Sequence, residues 1–259
     1  MKTLLTSLLL VFIGVAPTLA QKTVRASEII DRINRNESVS YRDVTVTGDL
    51  DLTSLANRKE IREGSWKGES QEFLSVVKAP ISFTNCTFTG KFLAYRTDEE
   101  NERRLLKISN KVYNTDFTEA VTVENCVFEK DAAFKYSTFK QQAIFTGNTF
   151  RDGALFKYAQ FRSAADFSGS SFGDYADFKY TKFDESSAFG NVTFERYADF
   201  KYTKFDEGVN FSQARFASTA DFKYTRFPRG TSFDNTRFDG STDFKYTTLD
   251  GRKFAPSSR

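Results

Sequence analysis

Histidine is absent from this 259-residue chain. The commonest general base and the commonest metal ligand are therefore missing. Cysteine occurs only twice, as Cys86 and Cys126, and tryptophan and methionine once each. The chain holds no Ser-His-Asp set, no phosphate-binding loop and no clustered metal ligands, so no cofactor is implied. Carboxylates are plentiful but spread evenly, and the chain is read as a non-enzyme. Net charge is also scarce: +3 overall, and one less once Lys2 is removed. So small a surplus argues against a nucleic-acid partner.

Long apolar runs are confined to the N-terminus, MKTLLTSLLLVFIGVAPTLA. Lys2 supplies the positive region, residues 4–15 the apolar run, and Thr18 and Ala20 the small residues of a cleavage site. This reads as a secretory signal peptide over residues 1–20, too short for a membrane anchor. No cysteine follows it to carry a lipid. The expected mature chain is exported, to the periplasm or outside the cell, with no transmembrane segment after cleavage.

What the chain has in excess is phenylalanine, 29 residues. From Phe134 to Phe244 the spacing alternates five and six residues without a break, and Leu249 and Phe254 continue the series. DFKYTKF at 177–183 returns unchanged at 199–205, as DFKYTRF at 221 and as DFKYTTL at 243. A fixed period of 22 residues marks a solenoid. Its Asp, Gly, Ser, Thr, Phe and Tyr content is poor for helix. The residue two before each Phe is small, for example Ala176, Thr181, Ser187 and Val192. Residues two apart on a strand share a face, so each short segment points one small and one large side chain inward.

Small-polar-Phe-x-x resembles the pentapeptide repeat, over residues 112–254 strongly and 44–94 more weakly. The resemblance implies an exported bacterial, all-β protein folded as a right-handed quadrilateral parallel β-helix. With a sixth residue in alternate steps, a coil takes about 22 residues, and residues 22 apart stack about 4.8 Å apart along the axis. Relatives of this kind often dimerise end to end, so a homodimer through the C-terminal coil is expected. The topoisomerase-binding DNA mimics of the family are acidic and cytoplasmic, unlike this chain. Ice binding needs outward threonine rows, whereas Thr181, Thr203 and Thr225 are expected to point inward.

Around the solenoid, residues 21–43 form an N-terminal segment. SEIIDRINR at 27–35 reads as a capping helix, with Ser27 as its N-cap and Ile29, Ile30 and Ile33 on one face. Residues 44–52 read as a first strand, within irregular first coils at 44–94 that carry an insertion at 56–78. Residues 95–111 form a second insertion, loop or hairpin. Regular solenoid fills 112–254, and 255–259 is a tail with no helix to cover the last coil.

Two sets of residues stand out. Cys86 and Cys126 precede Phe88 and Phe128 by two, so they occupy matching inward slots. The alternatives are a disulfide between adjacent coils and two buried thiols; the disulfide is expected, since export permits oxidation. The second set is the recurring Phe-Lys-Tyr: Lys135 and Tyr136, Lys157 and Tyr158, Lys179 and Tyr180, Lys201 and Tyr202, Lys223 and Tyr224, Lys245 and Tyr246. It predicts an outward lysine column, charge-balanced by Asp177, Asp199, Asp221 and Asp243, beside a corner column of tyrosines. The function expected is a structural or protein-interaction module with an unknown protein or glycan partner. The alternative is glycan binding or cleavage on that ladder or on the insertions.

Overall fold

The computed structural model describes residues 22–63, 70–98 and 111–254. The N-terminal stretch expected to be a signal peptide, the tail, and parts of both insertions, Trp66 among them, lie outside the described residues. What is described is a four-sided parallel β-helix built from short strands, mostly two residues long. Its faces are numbered here in chain order. In one coil, Tyr175–Asp177 lies on face 1, Lys182–Phe183 on face 2, Ser187–Ala188 on face 3 and Thr193–Phe194 on face 4. Pairing between coils is parallel and in register at 22 residues, as in Ala176↔Ala198 and Phe183↔Phe205.

The interior is the phenylalanine array. Phe178 and Phe200 are direct vertical neighbours, ring centroids 5.0 Å apart and planes 6° from parallel. Between faces the rings meet edge to face, as Phe178 and Phe189 do at 5.3 Å and 89°. Each quadrupole thus finds offset stacking along the axis and T-shaped contact across it. Burying each ring is worth about 1.5–3 kcal/mol.

The alternation of five and six comes from two kinds of corner. Five-residue steps, Phe178 to Phe183 and Phe189 to Phe194, turn on one residue with positive φ, Tyr180 at 59° and Asn191 at 55°. Thr181 N–H donates to the Phe178 carbonyl at 3.0 Å and closes that turn. Six-residue steps, Phe183 to Phe189 and Phe194 to Phe200, round a wider corner with no positive φ. The small inward threonine has a task of its own: Thr181, Thr203 and Thr225 donate their hydroxyls to the carbonyls of Phe156, Phe178 and Phe200 at 2.6–2.8 Å. A buried hydroxyl is thereby satisfied without leaving the core.

The helix runs Ala26–Asn34, with Ile29 and Ile33 buried against the first coil. Its cap lies two residues earlier than expected: Ser27 sits inside the first turn and the N-cap is Arg25, with no side-chain cap. The first strand is also earlier, since Lys22–Arg25 pairs in parallel with Val44–Thr47 and opens face 4. Gln71–Val77 belongs to face 2 itself, paired in parallel with Lys111–Phe117. Lys59–Arg62 and Tyr95–Thr97 join these two strands in antiparallel fashion, so both excursions leave from one face.

At the other end the chain closes its own last coil. Arg252–Lys253 turns back antiparallel on Thr248–Leu249. Phe254 then lies under the coil, 5.4 Å from Phe233 and 6.0 Å from Phe227. A hairpin and one ring thus occupy the floor that the sequence reading left open.

Candidate interaction face

The corner between faces 1 and 2 carries the Phe-Lys-Tyr motif in six successive coils. Its tyrosines form one exposed column. From Tyr136 to Tyr246, successive centroids are 4.6–4.9 Å apart and no pair of planes differs by more than 20°. Tyr95, which the sequence reading missed, continues the column at 5.8 Å from Tyr136. Every one of the six has φ between 58° and 62°. Turns of this kind favour Gly or Asn at that position, and a bulky residue there is strained. The equivalent corner between faces 3 and 4 uses such residues at Asn125, Gly147, Gly169, Asn191 and Asn235, with Gln213 the one exception. Tyrosine is held at the first corner by the ring stack.

Because the rings stack, each face of an inner ring is covered by its neighbours. The column presents ring edges and hydroxyls to solvent. Below it, a shallow groove of about 400 Å³ runs between Tyr202, Tyr224 and Tyr246 on one side and Lys204 and Arg226 on the other.

The aspartates depart from the expected solvated ladder. Asp177, Asp199 and Asp221 lie outside the coil yet are only 3–7% exposed. Each accepts the N–H of the lysine two residues on, Lys179, Lys201 and Lys223, at 2.9–3.1 Å. They are turn caps, the role for which Asp suits this position. Tyr175 and Tyr197 lean over them, hydroxyls 3.4 and 3.5 Å from Asp199 and Asp221. Burial, with the charges of Asp177 and Asp199, pushes the Tyr175 phenol well above its ordinary value. Burial likewise raises the Asp177 carboxyl, with Asp199 adding to it and the Lys179 N–H opposing.

The lysines divide into two groups. Lys201 Nζ bridges Asp199 and Asp221 at 3.2 and 3.4 Å, and Lys223 bridges Asp221 and Asp243 at 3.7 and 3.2 Å. Burial pulls on the Lys201 ammonium, but the bonds to Asp199 and Tyr197 and the charge of Asp221 outweigh it and hold it protonated. Lys157, Lys179 and Lys245 instead lie 5.0–5.3 Å from the rings of Tyr158, Tyr180 and Tyr246, and Lys135 lies 5.2 Å from that of Tyr95.

The expected disulfide is not formed. Thr87 pairs with Val127, so Cys86 and Cys126 stack directly, but both are free, buried thiols. Parallel neighbours hold their Cβ atoms side by side about 4.8 Å apart, beyond the roughly 3.5–4.5 Å of a disulfide. Cys86 N–H donates to the Cys126 sulfur at 3.3 Å, and the thiols donate to the Thr84 and Glu124 carbonyls at 3.3 Å. The hydrogen bond with Cys86, with burial, pushes the Cys126 thiol up, away from the reactive thiolate.

A second cluster, also missed, sits at the root of the insertions. Tyr113 lies beneath the guanidinium groups of Arg96 and Arg58, at 4.0 and 5.3 Å from its centroid. Arg96 also reaches Thr53, Asp51 and Asp98, which ties it into the wall. Among the described residues, no three His, Cys, Asp or Glu side chains converge as a metal site. No described helix is long and apolar enough to cross a membrane.

Residues 156–204 and 200–248 match the family of pentapeptide repeats (9 copies). With the four parallel faces and the stacked phenylalanines, the match makes the chain a pentapeptide-repeat protein, and this region its repeat solenoid. No curated protein and no solved structure matches the chain.

Proposed function

We propose that the protein is a rigid, non-catalytic interaction module that works outside the cytoplasm. The pentapeptide-repeat family supports a structural or interaction role. The observation that carries the finer reading is the tyrosine column, where one residue type holds a strained φ in six successive coils. Repetition of that kind builds a line of identical contacts, whereas catalysis needs unlike groups converging on one point. The leader-like N-terminus supports export.

Cleavage of a glycan, and stacking of neutral sugars on the tyrosines, fit the geometry poorly. Sugar stacking needs free aromatic faces, and the inner rings have none. End-to-end pairing would have to form over the hairpin and Phe254 that close the last coil, and a monomeric mass in light scattering at micromolar concentration would reject it. The module reading is tested with the purified chain and a panel of peptides and polysaccharides. Saturable binding with no release of reducing ends or new amino termini is expected; steady product release contradicts it. Fractionation of the native cell tests export: a chain starting near Gln21 outside the cytoplasm is expected, and an intact Met1 chain in the cytosol contradicts it.

A further inference from the structure

Phe-Lys-Tyr is the same three residues in all six coils that carry it, but the ammonium groups have different surroundings. The outward residue two before each lysine runs Ala133, Leu155, Asp177, Asp199, Asp221, Asp243 along the axis. Where two aspartates flank a lysine in the lower coils, the charge is spent inside the ladder, as at Lys201 and Lys223. In the upper coils Ala133 and Leu155 offer no carboxylate. Lys135, Lys157 and Lys179 make no ion pair among the described residues, and their ammonium groups rest beside tyrosine rings. Asp177 and, a coil below, Asp199 flank Lys179, but both are buried and already engaged: they accept the N–H groups of Lys179 and Lys201, and Asp199 pairs with the Lys201 ammonium.

We infer that Lys135, Lys157 and Lys179, with the hydroxyls of Tyr136, Tyr158 and Tyr180, form a binding strip for a linear acidic polysaccharide. The three lysines leave successive coils, where the tyrosine rings repeat at 4.9 and 4.8 Å; the Lys135 ammonium lies against Tyr95 one ring above, and those of Lys157 and Lys179 against their own coil's rings. A uronate chain offers about one carboxylate per sugar, a comparable repeat, with hydroxyls between for the phenols. Pairing uses three charges that have no internal partner, so no ion pair is broken on binding. The covered ring faces deny a base or a neutral sugar its stacking surface, which favours the acidic polysaccharide over a single-stranded nucleic acid. The inference rests on the module reading and does not depend on export.

Fluorophore-labelled oligogalacturonate, titrated with the purified chain and followed by anisotropy at several salt concentrations, tests it. The wild type binds saturably and releases on salt. Lys135→Gln with Lys157→Gln and Lys179→Gln weakens binding by about tenfold or more and makes the log–log salt slope shallower by about 2. Lys223→Gln, whose ammonium is internally paired, leaves affinity within about twofold, since its charge is already neutralised. Circular dichroism checks each fold, and Lys157→Gln alone serves if the triple variant fails to fold. The strip is rejected if wild type shows no saturable binding, if the upper variants bind like wild type, or if Lys223→Gln loses as much. It is also rejected if a single-stranded oligonucleotide or a neutral oligosaccharide binds more tightly than oligogalacturonate. Those outcomes leave the module reading standing, because that reading answers to the wider ligand panel and the product assay.

Discussion

A tyrosine near φ 60° is costly, and this chain accepts the cost six times. Stacking offsets it: an aromatic pair is worth about 0.5–1.5 kcal/mol beyond burial, and each inner ring has two partners. Tyr202→Ala loses both stacks and keeps the strained backbone, so chemical denaturation should show a loss of about 1–3 kcal/mol. Tyr202→Asn loses the same stacks but tolerates the left-handed turn, and should lose about 1 kcal/mol less. Equal losses would show that the backbone contributes nothing to the choice. Asp177 gives a second test. Burial raises its carboxyl, so the ionised form costs stability above the folded value, and the cost disappears as pH falls to the ordinary carboxylate value. Asp177→Asn keeps the acceptor for Lys179 N–H and removes the charge. It should melt above wild type at about pH 7 and lose that advantage near pH 3. An advantage independent of pH contradicts this account.

The elements here are corners more than strands. The phenylalanine spacing was legible because a side chain that must fill the coil recurs at every step whatever its neighbours do. The corners were not, since nothing in KYT or GNV states which residue takes positive φ, and Tyr is a poor candidate for it. The aspartates misled for a related reason: alternation places them outside the coil, but their bonds to Lys179, Lys201 and Lys223 and the cover of Tyr175 and Tyr197 follow from the turn, not from alternation. The split among the lysines depends on residues a full coil away. The cysteines show the limit of spacing alone, which placed Cys86 over Cys126 but not their parallel Cβ vectors. A thiol titration of the chain unfolded under non-reducing conditions should find two free sulfhydryls; none, with a one-chain mass, would restore the disulfide.

At the scale of the molecule, each coil contacts only the coils above and below, and its stability is regional. The helix Ala26–Asn34 covers one end and Phe254 closes the other, so the middle coils meet only copies of themselves. That interchangeability is the central claim, and removing one coil tests it most directly. Deleting residues 178–199 joins Asp177 to Phe200, restores DFKYTKF across the junction and keeps all four faces in register. The account predicts a folded chain with the wild-type β spectrum and cooperative melting. A deletion two residues shorter shifts the phenylalanines off their columns and should aggregate or lose the transition. A shorter deletion that folds as well as the full-coil deletion, or a full-coil deletion that unfolds, would contradict a coil of 22 residues.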